Sequence, residues 1–281
     1  MKNNNLIKSM ILAFIMPLFL STAFGQKSVS LKYNLNEGDL YSYNLEVDQD
    51  IVFETNGIVM ALDMLMMFEM TQKVVEVTAD SIKLEGQIKR VKMSQSAFGM
   101  EMKYDSDDPA TSQNPMMAKA GEESSKILNK SFYMMMDHQG KLGNMDLSNI
   151  SDNEDFANSI NSGSQFAIYP KGKIKVGDTW EEDIKPVETS DMQIRARYTL
   201  LKVTGKQATI GVDGIISANK MNDAELKMNG TMKGEMIVDV KTGWLIESNM
   251  DQEIEMDIEQ AGQKMPATIS GTIKTTSVKL N

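Results

Sequence analysis

The sequence predicts a mainly β protein with minor α content, organised as a large curved antiparallel sheet or open half-barrel built from two similar halves. Three observations lead to this fold class. Apolar and polar residues alternate with a period of two, turn signals follow at short intervals, and helical periodicity is confined to one or two short stretches.

The clearest alternation runs from Trp244 to Ile258, where even-numbered positions are mostly apolar and odd-numbered positions after Leu245 are mostly acidic. This pattern is typical of an antiparallel strand with one buried face and one solvated face. A second strand, Met60–Thr71, is apolar on its even-numbered face and only partly polar on the other. We therefore expect it to lie nearer the middle of the sheet.

Short turns separate the predicted strands. Thr78–Ser81 and Thr204–Lys206 each divide two strand-like runs, and Gly140 and Gly243 each supply a glycine for a left-handed hairpin position. Many antiparallel strands joined in this way make an extended sheet.

Helix is predicted in two places between the halves. Pro115–Leu128 has Pro115 at its first turn and an apolar stripe, and Ser151 to about Ile160 begins with a capping-box pattern. The stripe of the first helix consists of Met117, Ala120, Ser124, Ile127 and Leu128.

An internal duplication is indicated by landmarks that recur in the same order. Gly38-Asp39 precedes Tyr41 as Gly177-Asp178 precedes Trp180, and a strand, a turn and a glycine-containing hairpin follow in both halves. Chance similarity between hairpins is the alternative. The predicted organisation is a signal peptide at 1–25, a first β half at 26–150 with a helix near 115–128, a helical linker at 151–165, and a second β half at 166–281.

The first 25 residues have the pattern of a secretory signal. Two lysines precede the apolar run Met10–Leu20, which is too short to span a bilayer comfortably, and Ala23 and Gly25 occupy the two small-residue positions that signal peptidase reads. We predict cleavage between Gly25 and Gln26, with an uncleaved anchor as the alternative. The chain has no cysteine, so we expect a periplasmic or secreted protein that is not a lipoprotein.

Composition narrows the choice of partners. The net charge of −10 argues against binding to nucleic acid and to anionic headgroups, since both need lysine and arginine to displace counterions. The lack of cysteine also means that no disulfide holds the fold. No second long apolar run follows the signal, so no transmembrane span is expected.

The residues needed for most kinds of catalysis are missing. His138 is the one histidine and is expected in a solvated turn, so Cys–His and Ser–His–Asp sets and zinc sites lack their parts. We expect no enzyme activity, no cofactor and no metal. The acidic run Asp105–Asp108 departs from the EF-hand pattern at Ala110 and Met116. A looser calcium site there, and a hydrolase built on paired carboxylates, remain alternatives.

Methionine is unusually frequent, with 25 in 281 residues. Three interpretations compete: methionine fills the core in place of leucine and isoleucine, it lines a deformable apolar cavity, or Met134 and Met136 bind cuprous copper. No histidine accompanies this methionine pair on its strand face, which weakens the copper interpretation.

Short motifs across the chain after residue 25 resemble a family of unknown function, DUF6263, of exported Bacteroidota proteins. The motifs are Leu31–Asp39 followed by Tyr41 and Tyr43, Tyr104–Asp108, Asp137–Lys141, Tyr169-Pro170 and Val176–Trp180. The resemblance covers nearly the whole of this part of the chain. It implies an envelope location and an architecture similar to periplasmic half-barrels that carry lipids or lipoproteins. It implies no established activity.

The first functional hypothesis is a binding module for a lipid or acyl chain on the concave face of the sheet, with the 115–128 helix as its cover. The alternative is a structural or protein-interaction component of the envelope that binds no small molecule. The predicted lining residues are Met60, Met64, Met66, Phe68, Met70, Met117, Met250, Ile254 and Met256.

The signal prediction is tested by expressing the full chain in a host that exports it. We expect the mature protein to begin at Gln26, because peptidase recognises the small side chains of Ala23 and Gly25. An Ala23→Arg variant should keep residues 1–25. Intact-mass measurement distinguishes the two forms, and a wild-type protein that retains Met1 would contradict the prediction.

Overall fold

The computed structural model describes residues 28–55, 57–112, 115, 117–150, 166–185, 191–221, 224–260 and 263–281. The predicted signal at 1–25 and the predicted helix from Ser151 lie outside these residues. The described chain forms strands β1 (Leu40–Thr55), β2 (Ile58–Val77), β3 (Ile82–Ala97), β4 (Met100–Asp105), β5 (Ser131–Met136), β6 (Leu142–Asp146), β7 (Thr179–Ile184), β8 (Gln193–Thr204), β9 (Gln207–Met221), β10 (Ala224–Asp239), β11 (Leu245–Gln260) and β12 (Gln263–Lys279), with helices α1 (Pro109–Ser112) and α2 (Ala118–Ile127) between β4 and β5.

All twelve described strands belong to one open sheet; eleven follow the order β6-β5-β3-β2-β1-β12-β11-β10-β9-β8-β7, and β4 pairs with β3 off this path. The first and last strands meet at its centre, where the antiparallel register runs from Tyr41↔Lys279 to Phe53↔Ala267. β4 and β5 pair with different stretches of the same edge of β3. The predicted mainly β, antiparallel fold is confirmed.

The sequence patterns correspond to the observed elements. In β11 the even-numbered residues Ser248, Met250 and Gln252 are buried, while the odd-numbered residues between them are exposed. β2 lies between β1 and β3, in the interior of the sheet as predicted. Helix α2 lies within the predicted 115–128 stretch, and its buried residues Ser124 and Ile127 belong to the predicted stripe.

The two halves make equivalent hydrogen bonds. The Gly38 N–H donates to the Val74 carbonyl (2.9 Å), as the Gly177 N–H does to that of Leu200 (2.8 Å). In turn, the Val74 N–H donates to the Asp39 carbonyl, and the Leu200 N–H donates to the Asp178 carbonyl. Directly after Val74 and after Leu200 the strand register shifts in both halves. Strands β1, β2, β3, β5 and β6 therefore correspond to β7–β11, and β12 joins the halves.

The open sheet is curved enough to bring its two ends together. Lys141, just before edge strand β6, forms an ion pair of 2.6 Å with Glu182 of edge strand β7. Phe132 of β5 and Trp180 of β7 belong to one buried cluster, although their strands lie at opposite ends of the sheet. The half-barrel prediction thus corresponds to a curved sheet whose edges approach each other without pairing.

We call the end of the sheet that carries the turns at 78–81, 137–141, 205–206 and 240–244 the base, and the opposite end, at Thr55, Ala97, Met221 and Gln260, the rim. Two segments cross the base, one at 28–39 before β1 and one at 166–178 before β7. They pair with each other through Val29 and Ile174, by hydrogen bonds of 2.7 and 2.8 Å. Each also bonds to a turn of the other half: the Asn34 N–H to the Thr242 carbonyl, and the Tyr169 N–H to that of Gln139.

Glycine permits both crossings. A Cβ at Gly243 (φ +69) would lie 2.3 Å from the Lys32 carbonyl oxygen, and one at Gly140 (φ +93) would lie 2.3 Å from that of Ala167. Both separations are well inside van der Waals contact. The two hairpin glycines predicted from sequence therefore serve a second purpose, since they let the crossing segments approach the turns.

Aromatic side chains fill the space above the crossing. Trp244 stacks on Tyr41 with ring centroids 4.0 Å apart, and its indole N–H donates to Ser277 Oγ at 2.6 Å. The Tyr169 hydroxyl donates to the Gly243 carbonyl at 2.6 Å. Burial raises the pKa of Tyr43 and of Tyr169 well above the ordinary value, so both stay neutral.

Where β1 begins and β12 ends, Asp39 holds the central strand pair together. Its carboxylate accepts hydrogen bonds from Lys279 Nζ (2.7 Å) and from the Asn36 N–H (3.0 Å). Burial alone would raise the pKa of Asp39, but these bonds and the lysine charge outweigh it and lower the pKa below its ordinary 3.8.

We predict that Gly243→Ala lowers the free energy of unfolding by more than about 3 kcal/mol, because the methyl group meets the Lys32 carbonyl at an already strained φ. Gly205→Ala is the matched control. Gly205 also has a positive φ but nothing lies within 4 Å of its Cβ position, so only about 1 kcal/mol of backbone strain is expected. Urea unfolding measures both variants, and equal losses would contradict the crossing.

We predict that Asp39 contributes stability that is full above its unfolded-state pKa and is lost as the pH falls through its lower folded-state pKa. Asp39→Asn should therefore destabilise the protein at pH 7 and flatten the decline in unfolding free energy between about pH 4 and pH 2. Asp178→Asn is the control, since Asp178 accepts the equivalent bond from the Lys175 N–H. An unchanged acid slope in Asp39→Asn would argue against the prediction.

Candidate ligand-binding face

The inward face of the sheet is defined by the buried side chains of Tyr43, Met70 and Met250. Residues that pair directly across antiparallel strands point to the same side of a sheet. The registers therefore assign side chains to inward-facing rows that cross several strands. One row runs Met93–Met66–Val47–Ile273–Met250, from β3 to β11.

The strand residues predicted to line the site all share this face. Met60, Met64, Met66, Phe68 and Met70 point inward from β2, and Met250, Ile254 and Met256 point inward from β11. Two strands, β1 and β12, separate the groups and contribute Val47, Ile51, Phe53, Ile269 and Ile273 between them. The result is an apolar surface over the four central strands, crossed at mid-height by Gln49 and Gln252.

Burial on this face falls from base to rim along β1 and β2. On β2, Met70 is 4% exposed and belongs to the buried cluster, against which Phe68 packs. Nearer the rim on the same strand, Met60, Met64 and Met66 are only half-buried and the cluster does not include them. On β11, by contrast, Met250 is fully buried in the same row as Met66, and Ile254 and Met256 pack against the cluster as far as the rim. The half-buried apolar surface therefore lies on β1 and β2.

Helix α2 packs against the core beside β3. Met117, just before the helix, and Ile127 within it belong to the buried cluster. The Asn129 N–H bonds to the Ile88 carbonyl at 2.8 Å, which fixes the helix end between β4 and β5. The structure thus places Met117 in the core and the other predicted lining residues on the sheet.

Above the base, the inward face is uncharged over its central strands. Among the described side chains, the charged residue at an inward position of β1, β2, β3, β11 and β12 is Lys279, which pairs with Tyr41 at the base and binds Asp39. The polar residues on this face include Gln49, Gln95 and Gln252, which lie in one row and were missed in the sequence as members of a site. The sequence feature that could have identified them is a glutamine on the otherwise apolar face of a predicted strand.

His138 is not the solvated turn residue that we expected. Its ring is partly buried, with Nδ1 2.8 Å from the Tyr33 carbonyl oxygen and Nε2 3.0 Å from that of Thr78. The imidazole therefore ties a base-crossing segment to two turns. No local pattern indicated this position, because its partners are distant in sequence.

The acidic run has structural partners. Arg90 donates to both carboxylate oxygens of Asp105, at 2.9 and 2.7 Å, and this pairing lowers the pKa of Asp105. Asp108 Oδ1 accepts from the Ala110 N–H at the start of α1. In the described part of the chain, no three His, Asp or Glu side chains gather as a metal site would require.

The outer face carries charges in register. Glu181, Arg197, Asp213, Lys233 and Asp251 lie directly opposite one another across five strands and alternate in sign. Such pairs favour this register over a slipped one. All of them except Asp251 border a groove of about 620 Å³, where Arg197 and Lys233 lie 2.7 and 3.8 Å from Glu181 and Asp213.

Within the residues described, no helix has both the length and the apolar character needed to cross a bilayer.

The predicted family resemblance is confirmed over part of the chain. The model of the family of unknown function DUF6263 matches residues 146–245. This range is narrower than the nearly complete coverage expected from the motifs. Comparison with curated proteins finds no match.

Among solved structures, the chain is similar in fold to lipovitellin, in a structure described as concerning lipid–protein interactions. The TM-score is 0.53 at 10% identity, over 87% of this chain and 25% of the lipovitellin chain. This chain thus spans about a quarter of that protein. At such identity the likeness concerns the fold alone.

Two further structures match with TM-scores too low to support a common fold. The translocator domain of the autotransporter NalP from Neisseria meningitidis gives 0.22 at 6% identity, over 85% of this chain and 89% of that one. A DUF1329 family protein from Desulfovibrio piger gives 0.18 at 10% identity, over 81% and 83%.

Proposed function

We propose that this protein binds a hydrophobic molecule, a lipid or an acyl chain, on the inward face of its sheet. In this proposal it acts outside the cytoplasm as a carrier or receptor without catalysis.

The observation that carries the proposal is the half-buried apolar surface between core and rim. Met60, Met64 and Met66 lie there beside Val47 and Ile51, with no charged residue in the described parts of the inward rows that they share with β1 and β12. Water contact with this surface is unfavourable by about 25 cal/mol per Å² of apolar area. An acyl chain would remove it from water, and unbranched methionines adapt to an irregular apolar ligand.

The likeness to lipovitellin supports the proposal by analogy. That protein has a similar fold and is described in terms of lipid–protein interactions. An open sheet curved round an apolar face is suited to a long, flexible ligand, because the ligand can enter from the rim without unpairing strands.

The second candidate function is assembly with another protein of the cell envelope. It is favoured by the exposed apolar side chains at the rim: Ile58 is 62% exposed and Phe98 is 75% exposed. Exposed apolar clusters mark interaction surfaces. In this case the inward face would be covered by a partner and would carry no small molecule.

The proposal is tested with purified protein by native mass spectrometry, solvent extraction and binding of a fluorescent acyl probe. We expect a co-purifying apolar molecule and saturable probe binding. Met66→Glu should weaken probe binding about tenfold or more, because it places a charge among apolar side chains.

Met67→Glu is the matched control. Met67 is the neighbouring residue on β2, is also half-buried, and points to the opposite face between Glu46 and Lys92. Circular dichroism confirms that each variant folds. Equal loss of binding in the two variants, or a wild-type protein that binds no probe and yields no lipid, would overturn the proposal.

A further inference from the structure

A row of glutamines crosses the apolar face at mid-height. The strand registers place Gln95 of β3, Gln49 of β1 and Gln252 of β11 in one inward-facing row, separated by Met64 and Gly271. The neighbouring rows on either side are apolar: Leu62–Ile51–Ile269–Ile254 towards the rim and Met66–Val47–Ile273–Met250 towards the base. Each apolar row lies about 7 Å from the glutamine row, because it is two residues further along the strands.

These amides have hydrogen-bonding capacity to spare. Within the described residues, the side chains of Gln49 and Gln252 have no hydrogen-bond partner. Gln95 makes only a weak contact of 3.9 Å from its Nε2 to the Met64 sulfur. Gln252 is only 6% exposed. Its amide is nevertheless not among the fully buried unpaired groups of the described residues, which lie on Tyr33, Gln72 and Thr275, so it keeps some contact with the space over the inward face.

Gly271 separates two of the amides. It lies between Gln49 and Gln252, which are therefore two strand spacings apart, about 10 Å. A glycine is needed here because β1 passes close by, so that a Cβ would clash with the Asp48 carbonyl oxygen. No side chain therefore stands between the two amides, and a ligand group that lies over Gly271 on the inward face comes within reach of both.

The chemistry of the row selects a neutral ligand group. The described inward positions around it hold no lysine or arginine to neutralise a carboxylate or phosphate, and no acidic residue to pair with an amine. A glutamine amide donates through its NH₂ and accepts through its carbonyl. A few polar groups in an apolar site commonly fix the orientation of a ligand.

We propose that the glutamine row binds the carbonyl of an ester or amide linkage, with the attached acyl chain lying on the apolar rows beside it. This inference rests on the proposed function and makes it more specific. The favoured ligand is an esterified or amide-linked acyl chain, and a free fatty-acid anion is disfavoured because its charge would be left unpaired in the face.

The experiment compares three probes of equal chain length, methyl decanoate, decanoate and decane, as competitors of a bound fluorescent acyl probe. Wild-type protein should bind methyl decanoate about tenfold more tightly than decane, as expected for one or two neutral hydrogen bonds in an apolar site. Decanoate should be the weakest. In Gln49→Met/Gln252→Met the preference for the ester over decane should disappear while decane still binds.

Gln193→Met is the matched control, since Gln193 of β8 is exposed and pairs with Ser217 on the outer face; it should leave the ester preference intact. The single variant Gln49→Met, at a half-buried position, should reduce the preference in part and serves if the double variant does not fold. An ester preference that survives in the folded variants, or tighter binding of decanoate than of the ester, would overturn this inference and leave the proposed function standing. Failure of all three probes to displace the fluorescent probe would overturn both.

Discussion

The structure depends on the crossing of two segments over the base. The segments before β1 and before β7 pair through Val29 and Ile174 and each reaches a turn of the opposite half. Gly140 and Gly243 make room for them, and the tyrosines and tryptophans above them complete the core. Because the sheet is fixed here, its edge strands are held near each other without pairing. The same sheet remains open towards the rim, where the half-buried apolar surface of β1 and β2 lies.

Much of the fold could be predicted from local sequence. The period-two pattern of Trp244–Ile258 gave the correct buried face of β11, since alternation in a half-buried strand depends only on neighbouring residues. The repeated Gly-Asp signal identified two turns that form the same hydrogen bonds, at Gly38 and Gly177. The apolar stripe after Pro115 identified α2 because helix periodicity is equally local.

The remainder depends on contacts between distant residues. Nothing near Leu40 or Lys279 indicates that β1 pairs with β12, and without that pairing the register is unknown. The lining residues of β2 and β11 could be assigned to apolar faces from the sequence. The sequence did not show that β1 and β12 lie between these strands and join the two faces into one surface. The glutamine row is the extreme case, since Gln49, Gln95 and Gln252 become neighbours only through four separate strand pairings. The alternating burial of Val29, Leu31, Tyr33 and Leu35 likewise depends on the base that this segment crosses.

The central position of β12 determines when the sheet can be completed during folding. The edge of β1 from Tyr41 to Phe53 has no partner until β12, the strand after β11, is available to pair with it. A chain in which β12 has not yet paired therefore holds two incomplete half-sheets, each with a long open edge of the kind that promotes aggregation. Only β12 joins them, since it pairs with β1 on one side and with β11 on the other. A chain that lacks β12 is thus left with a divided sheet.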